Sequence, residues 1–328
     1  MTKQKELSLC YITKNDEDFF PACLKDMKGI ADEILVADLG SNDSTCELAK
    51  QAGAVVYRPE WEDDFSKIRN FCMDHASGEW VLFLQANEMI SSDQRKELKL
   101  LLRNPAAEGY LLEMDESRKN QIVSSPAQSL RLLRNRTIYR FRYRSFVYIP
   151  DEELYSIQNS VLRIKHRGEK GVEWQQNERL RLLQTDLKEH PQDGYVRYLE
   201  GLRLLNQGKY EESAVSLELA RQAFAGGYLY VPHLYQCLGN CLLSLEKNTE
   251  AEQVLTEGSW LFPFYTDLLF LRAKLYRRIG RVGEALNDLE TCQKVRKSLN
   301  ACVPGPEIGI SDIEEMLDEI KSGLNEER

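Results

Sequence analysis

Hydrophobic positions in the first half of the chain fall in short runs separated by polar stretches with helical spacing. The run LSLCYIT (7–13) is followed by the helical stretch DEDFFPACLKDMKGIA and then by EILVADLG (33–40), which predicts a β-α-β opening. A helix starting at Ser41 to Thr45 runs through CELAKQAG to a stop at Gly53, and AVVYR supplies another short strand. A further helix is expected from about Phe65 to His75, and EWVLFL (79–84) completes the series. The overlapping stretch LFLQANEMI (82–90) is apolar but broken by Gln85, Asn87 and Glu88, so it reads as a buried strand that delivers polar groups to a site. Such alternation predicts an α/β domain with a mainly parallel sheet, whose ligands sit at the carboxyl ends of the strands.

From about residue 172 the pattern changes to long helices with almost no strand signal. Stretches 201–220, 239–258 and 273–292 align at spacings of 38 and 34 residues, the second being the period of tetratricopeptide repeats. In each unit a small residue (Gly201, Gly239, Ala273) precedes a larger one (Leu204, Leu242, Tyr276) and then another small one (Ser213, Ala251, Ala285). Small residues let two helices of a hairpin approach and the larger ones fill the groove. The pattern divides the chain into an α/β domain over 1–170 and an all-α repeat domain over 171–328, with a linker helix first and DIEEMLDEIKSG (312–323) as a capping helix.

Composition narrows the function classes. With 42% hydrophobic and 29% charged residues the chain has ordinary globular proportions, and no run is long enough to span a membrane. A net charge of −9 speaks against general nucleic-acid binding. The opening MTKQKELSLC lacks a secretory pattern, and the eight cysteines show no CxxC pair, so a cytoplasmic, reducing setting is expected.

Candidate chemistry gathers at the strand ends. In ADLGSNDST (37–45) Asp38, Ser41, Asp43 and free backbone N–H groups meet at a helix start, an arrangement that suits either a nucleotide or plain helix capping. Glu88 stands beside the amides Gln85 and Asn87 as a candidate acid. Arg140, Arg142 and Arg144 alternate, so on a strand they would share one face and could neutralise an anion.

In order and spacing, LSLCYITKND, EILVADLGSNDST, EWEDDFSKIRNFCMDHASGEWVLFLQANE, RLLRNRTIYRFRYRSFVY and IKHRG resemble family 2 glycosyltransferases of the Rossmann-like GT-A fold, in a bacterial subgroup with a tetratricopeptide tail. That resemblance places Lys14, Asn15, Asp38, Arg69 and Asn70 around the nucleotide of a sugar donor, with Asp43 capping a helix and Asp63, Asp64 and Phe65 bracing a loop. It also implies a divalent cation, Mn or Mg, on the family's D-A-D-E, where this chain has Gln85-Ala86-Asn87-Glu88. His166 matches a family histidine that meets metal or diphosphate. The family's F-x-G-R-x-H-E aligns Phe146 and Val147 with the expected His and Glu, so the expected base is missing.

The resemblance thus implies a glycosyltransferase-like, hexosyltransferase-class domain that binds a nucleotide-sugar such as a UDP-sugar. Cation binding would be weak or absent, and catalysis impaired or metal-independent, with Glu88, Arg142 and Arg144 as candidate catalytic groups. The repeat domain would present a protein or peptide acceptor. Two alternatives stand beside this: a catalytically inactive relative serving as a binding or scaffold subunit, and a repeat-domain adaptor.

Overall fold

The computed structural model describes residues 5–103, 105–114, 128–149, 156–167, 172–223, 229–298 and 308–326. These residues form two units; the first ends at Glu189 and the second begins at His190.

The first unit is built on β1 (Leu7–Thr13), β2 (Glu33–Asp38), β3 (Val55–Tyr57), β4 (Trp80–Gln85), β5 (Glu88–Ile90), β6 (Gly109–Met114), β7 (Gln128–Arg134) and β8 (Ile157–His166). They make one sheet in the order β3-β2-β1-β4-β7-β6-β8-β5. Strands β1 to β4 pair in parallel, because helices α1 (Phe20–Met27), α2 (Thr45–Gln51) and α3 (Phe65–His75) carry the chain back between them. The other half is mixed: β7 is antiparallel to β4 and β6, β8 is parallel to β6, and β5 is antiparallel to β8.

Alternation along the central strands fills a core on each face of the sheet. Leu7, Leu9 and Tyr11 of β1 and Trp80, Leu82 and Leu84 of β4 point to the layer of α1, α2 and α4 (Arg95–Arg103). Cys10, Ile12, Val81 and Phe83 point to the opposite layer, where Phe65, Ile68 and Met73 of α3 meet Leu182 of α5 (Val172–Glu189). Helix α5 therefore packs with the first unit, so the boundary falls after it and not at 170/171.

Stretch 82–90 is two strands and not one. Among the described residues β7 pairs with β4 only from Trp80 to Leu82, so the far end of β4 has no strand paired to it on that side. The chain turns at Ala86 and Asn87, and Glu88–Ile90 pairs instead with β8 at the sheet edge. Nor do Arg140, Arg142 and Arg144 lie on a strand: 140–148 is a loop with one isolated bridge, Arg142 to Tyr148, and Tyr143 has φ 68°.

The second unit pairs α6 (Gly194–Asn206) with α7 (Tyr210–Gln222), α8 (Val231–Ser244) with α9 (Asn248–Leu261) and α10 (Thr266–Arg278) with α11 (Val282–Ser298). The small residues of the repeat do what their spacing predicts. A Cβ on Gly201 would stand 2.5 Å from Leu217, and one on Gly239 would stand 2.6 Å from Leu255. Ser213, Ala251, Ala273 and Ala285 are fully buried, and Ser213 Oγ donates to the Gly201 carbonyl at 2.8 Å. Helix α12 (Ile310–Glu326) covers the last hairpin with Ile313, Met316, Leu317 and Ile320, as expected of a cap. No helix among the described residues is long and apolar enough to cross a membrane.

Candidate functional site at the strand ends

The β1–α1 and β2–α2 loops are latched to each other at the carboxyl ends of their strands. Asp38 is fully buried; it accepts hydrogen bonds from Ser41 N at 3.1 Å, from Ser41 Oγ and from Thr13 Oγ1 at 3.4 Å, and Arg58 Nε stands 3.4 Å away. Asn15, held at φ 58°, donates its N–H to Ser41 Oγ at 2.9 Å and accepts from Asn42 N at 2.8 Å. Asp43 accepts from Thr45 N at 3.0 Å, closing the start of α2 as expected. Asp16 joins this latch: its carboxylate accepts from Lys14 N at 2.9 Å and its N–H donates to Thr45 Oγ1 at 2.8 Å. Burial, helped by Asp43 and Asp38, pushes the Asp16 carboxyl up to about 7 against the opposing hydrogen bond from Lys14 N.

Two cationic side chains of this unit pack on aromatic rings. Lys14 Nζ lies 4.4 Å over the ring of Trp174. Arg69 Cζ lies 5.0 Å from the rings of both Phe83 and Phe141, which pack edge-on against each other, and its Nε is buried with no partner. Asn70 clasps the backbone of Phe141, donating to its carbonyl at 3.0 Å and accepting from its N–H at 2.9 Å. That amide holds the 140–148 loop.

Glu88 is the hub of the β4–β5 turn. Fully buried, it accepts from Gln85 N at 2.7 Å and from both terminal nitrogens of Arg131 at 3.1 and 3.2 Å. His166 Nε2 lies 3.3 Å from its other side, an approach set by the β5–β8 register in which Glu88 faces His166. Asn87 is buried, its carbonyl accepting from Arg167 N at 2.8 Å.

Helix α5 lies against the far wall. Gln175 Nε2 donates to the Ile12 carbonyl at 3.3 Å, and Arg179 donates to the Ser145 carbonyl at 2.8 Å while standing 4.5 Å over Phe65 and 5.6 Å over Phe146. Buried Asp186 accepts from Arg144 N at 3.0 Å, from Ser145 N at 2.9 Å and from Ser145 Oγ. Trp174 packs edge-on against Trp61 and Phe65. Asp64 caps α3 and Asp63 pairs with Arg181 at 2.7 Å, so both brace this wall. Arg144 is ion-paired with Glu189 at 2.9 Å and Arg140 with Asp74 at 2.7 Å, and Arg142 is tied by its backbone to Tyr148.

Residues 8–155 match the Glycosyl transferase family 2 profile. The N-terminal domain belongs to that family. Over 217 residues the chain is 33% identical to a TPR repeat-containing protein of Synechococcus elongatus, covering 62% of this chain and 53% of the relative. Over 107 residues it is 30% identical to an uncharacterized glycosyltransferase of Rickettsia typhi, covering 33% of this chain and 36% of that one. The chain thus spans about half the length of the first relative (53%) and about a third of the second (36%). Among solved structures, S. aureus TarS 1–349 in complex with UDP-GlcNAc superposes with a TM-score of 0.42 at 15% identity, covering 89% of this chain and 92% of that one.

The family 2 domain implies a divalent cation, and the residues present do not fit one. Hard cations take anionic oxygen, but Gln85 and Asn87 are neutral and both oxygens of Glu88 already accept from Arg131, a fixed cation in the same place. Among the described residues no group of three or more His, Cys, Asp or Glu is placed to hold a metal. Phe146 and Val147, at the expected His-Glu, serve packing instead: Phe146 lies under Arg179, and Val147 packs on the α3 and α5 core.

Sequence reasoning missed Arg131, Asp16 and the inner face of α5. The α5 signal was legible in retrospect, because Gln175, Arg179, Leu182 and Asp186 recur at spacings of four, three and four residues, the period of one helix face. Arg131 carried no local signal, since only the sheet order brings β7 beside the end of β4.

Proposed function

We propose that the family 2 domain receives a nucleotide-sugar, such as a UDP-sugar, at the carboxyl ends of β1, β2 and β4. Transfer by a metal-and-base route is impaired, and the repeat domain presents a protein or peptide. Family membership over residues 8–155 supports the donor class, and Lys14 and Arg69 supply cations where the diphosphate of a donor would lie. The stacked hairpins of α6 to α11 support the second part, since such repeats build extended surfaces suited to peptides or partner helices.

One observation carries the impairment: the surviving acid of the turn, Glu88, is fully buried and bound on both oxygens by Arg131. An acid held this way is a structural anchor and not a mobile proton acceptor. Phe146 and Val147 offer no substitute, and loss of a general base alone lowers a rate by about 10² to 10⁴.

Calorimetry with a panel of UDP- and GDP-sugars, followed by a donor-hydrolysis assay on the same samples, tests the reading. Binding of at least one donor with turnover far below the roughly 1–10³ s⁻¹ of ordinary enzymes is expected. Turnover within that range would refute the impairment, and absence of binding by any nucleotide would leave only the adaptor reading.

A further inference from the structure

Helix α4 divides its residues between core and solvent. Leu98 and Leu102 are buried in the layer that also holds α1. Lys96, Lys99, Leu100 and Arg103 are all exposed, and their spacing of three, one and three residues keeps them on one helix face. None of these three cations forms an ion pair among the described residues, and Leu100 stands between them 67% exposed. The cationic surface extends beyond α4. Arg95 Nη2 donates to the Asp26 carbonyl at 2.9 Å, which fastens α4 beside the end of α1, where Lys25 and Lys28 are exposed. Acids are few there: Asp26 is paired with Arg167 at 2.7 Å, Glu97 is the one acid of α4, and Asp93 lies in the turn before it.

This patch runs against the net charge of −9 carried by the whole chain. Cations gathered without counter-charges repel one another and attract a polyanion. The exposed leucine decides which kind. A nucleic-acid backbone would accept the lysines but gains nothing from Leu100, and the α4 face offers no aromatic or amide side chain to stack or read bases. An acidic protein would bind through aromatic anchors seated in pockets, whereas this face is a convex helix without an aromatic residue. A lipid surface meets both demands, because anionic headgroups lie directly above an apolar layer.

We propose that the exposed face of α4, with Lys25 and Lys28 beside it, docks the family 2 domain on an anionic lipid surface. Leu100 enters the headgroup layer, while Lys96, Lys99 and Arg103 lay their apolar stems along it and keep their charged ends at the phosphates. The contact is reversible, since Leu98 and Leu102 stay in the core of the domain and α4 offers lipid one leucine. This docking is independent of the donor reading, because no residue placed in the cleft takes part in it.

The test is co-sedimentation of the full chain with vesicles of phosphatidylcholine alone and of phosphatidylcholine carrying phosphatidylglycerol. Binding should require phosphatidylglycerol and should be lost in about 1 M salt, where charges are screened beyond about 3 Å. Each basic side chain near an anionic surface strengthens binding about fivefold, so Lys96→Gln, Lys99→Gln and Arg103→Gln together should weaken it about a hundredfold. Leu100→Gln should weaken it by about fivefold or more. A control with Lys209→Gln, Lys294→Gln and Lys297→Gln, exposed lysines of the repeat unit, changes net charge equally and should bind as the wild type does. Equal losses in the two triple variants would overturn the proposal, since net charge and not this face would then govern binding. Unchanged affinity in Leu100→Gln would overturn the choice of lipid. Retention of polyglutamate or duplex DNA by a wild-type chain that ignores the anionic vesicles would overturn it in favour of another polyanion. Comparing vesicle compositions needs no variant, so failure of the wild-type chain to bind anionic vesicles decides against the proposal even if a substituted chain fails to fold.

Discussion

At the scale of single residues, Asp16 shows how a buried carboxyl becomes part of a latch. Its backbone and side chain join the β1–α1 loop to the start of α2, yet burial and the neighbouring Asp43 and Asp38 make its charged form unfavourable, raising its pKa to about 7. The sign follows from linkage. Near pH 4 and below, folded and unfolded chains both carry the proton; between about 4 and 7 only the folded chain keeps it, so stability contributed by this group falls as pH rises and is fully lost above about 7. A shift of this size corresponds to about 4 kcal/mol. Asp16→Asn keeps an acceptor for Lys14 N–H and removes the titration, so the variant should gain on the wild type by about that amount between pH 4.5 and pH 8 in urea midpoints. A difference between the two proteins that stays constant with pH would show that Asp16 is ionised in the folded state.

Among the elements, α5 changes meaning most between sequence and structure. Polar along most of its length, it reads as a linker, but its inner face is a set of fastenings for the 141–149 loop and for the end of β1. The strands β1 to β4 and helix α3 were legible because their apolar runs are local and their periods clear, and Ser213, Gly201 and Gly239 announced the repeat hairpins through spacing alone. What escaped depends on pairing at a distance. The break in LFLQANEMI follows from how few residues of β4 meet β7, and the bond between Glu88 and Arg131 joins residues 43 positions apart. Asp186→Ala tests the role of α5, since it strips the acceptor from Arg144 N, Ser145 N and Ser145 Oγ at once. Unsatisfied buried donors of this kind cost about 3 kcal/mol in sum. Amide exchange at 144 and 145 should rise sharply while β1 amides stay protected, and Asp186→Asn should restore part of the protection. Unchanged exchange at 144 and 145 would mean that the loop is held by Asn70 and Arg179 without Asp186.

On the scale of the whole molecule, the chain holds two units with separate cores, one layered on a sheet and one stacked from hairpins. Stability in a stacked array is a sum of repeat terms and nearest-neighbour contacts, so a local fault should propagate along the stack. Gly201→Ala supplies such a fault. The new Cβ would stand 2.5 Å from Leu217, closer than van der Waals contact allows, so α6 and α7 must separate and strain the bond from Ser213 Oγ to the Gly201 carbonyl. Overpacking of this kind costs about 1–3 kcal/mol, against which the better helix propensity of Ala returns about 1 kcal/mol. The net loss, up to about 2 kcal/mol, should appear in hydrogen-exchange mass spectrometry as faster exchange from α6 through α9, fading toward α12, with the β1 and β4 peptides unchanged. Acceleration confined to α6 and α7 would show that the hairpins fold independently. Equal acceleration in β1 would show that the sheet unit draws its stability from the repeats.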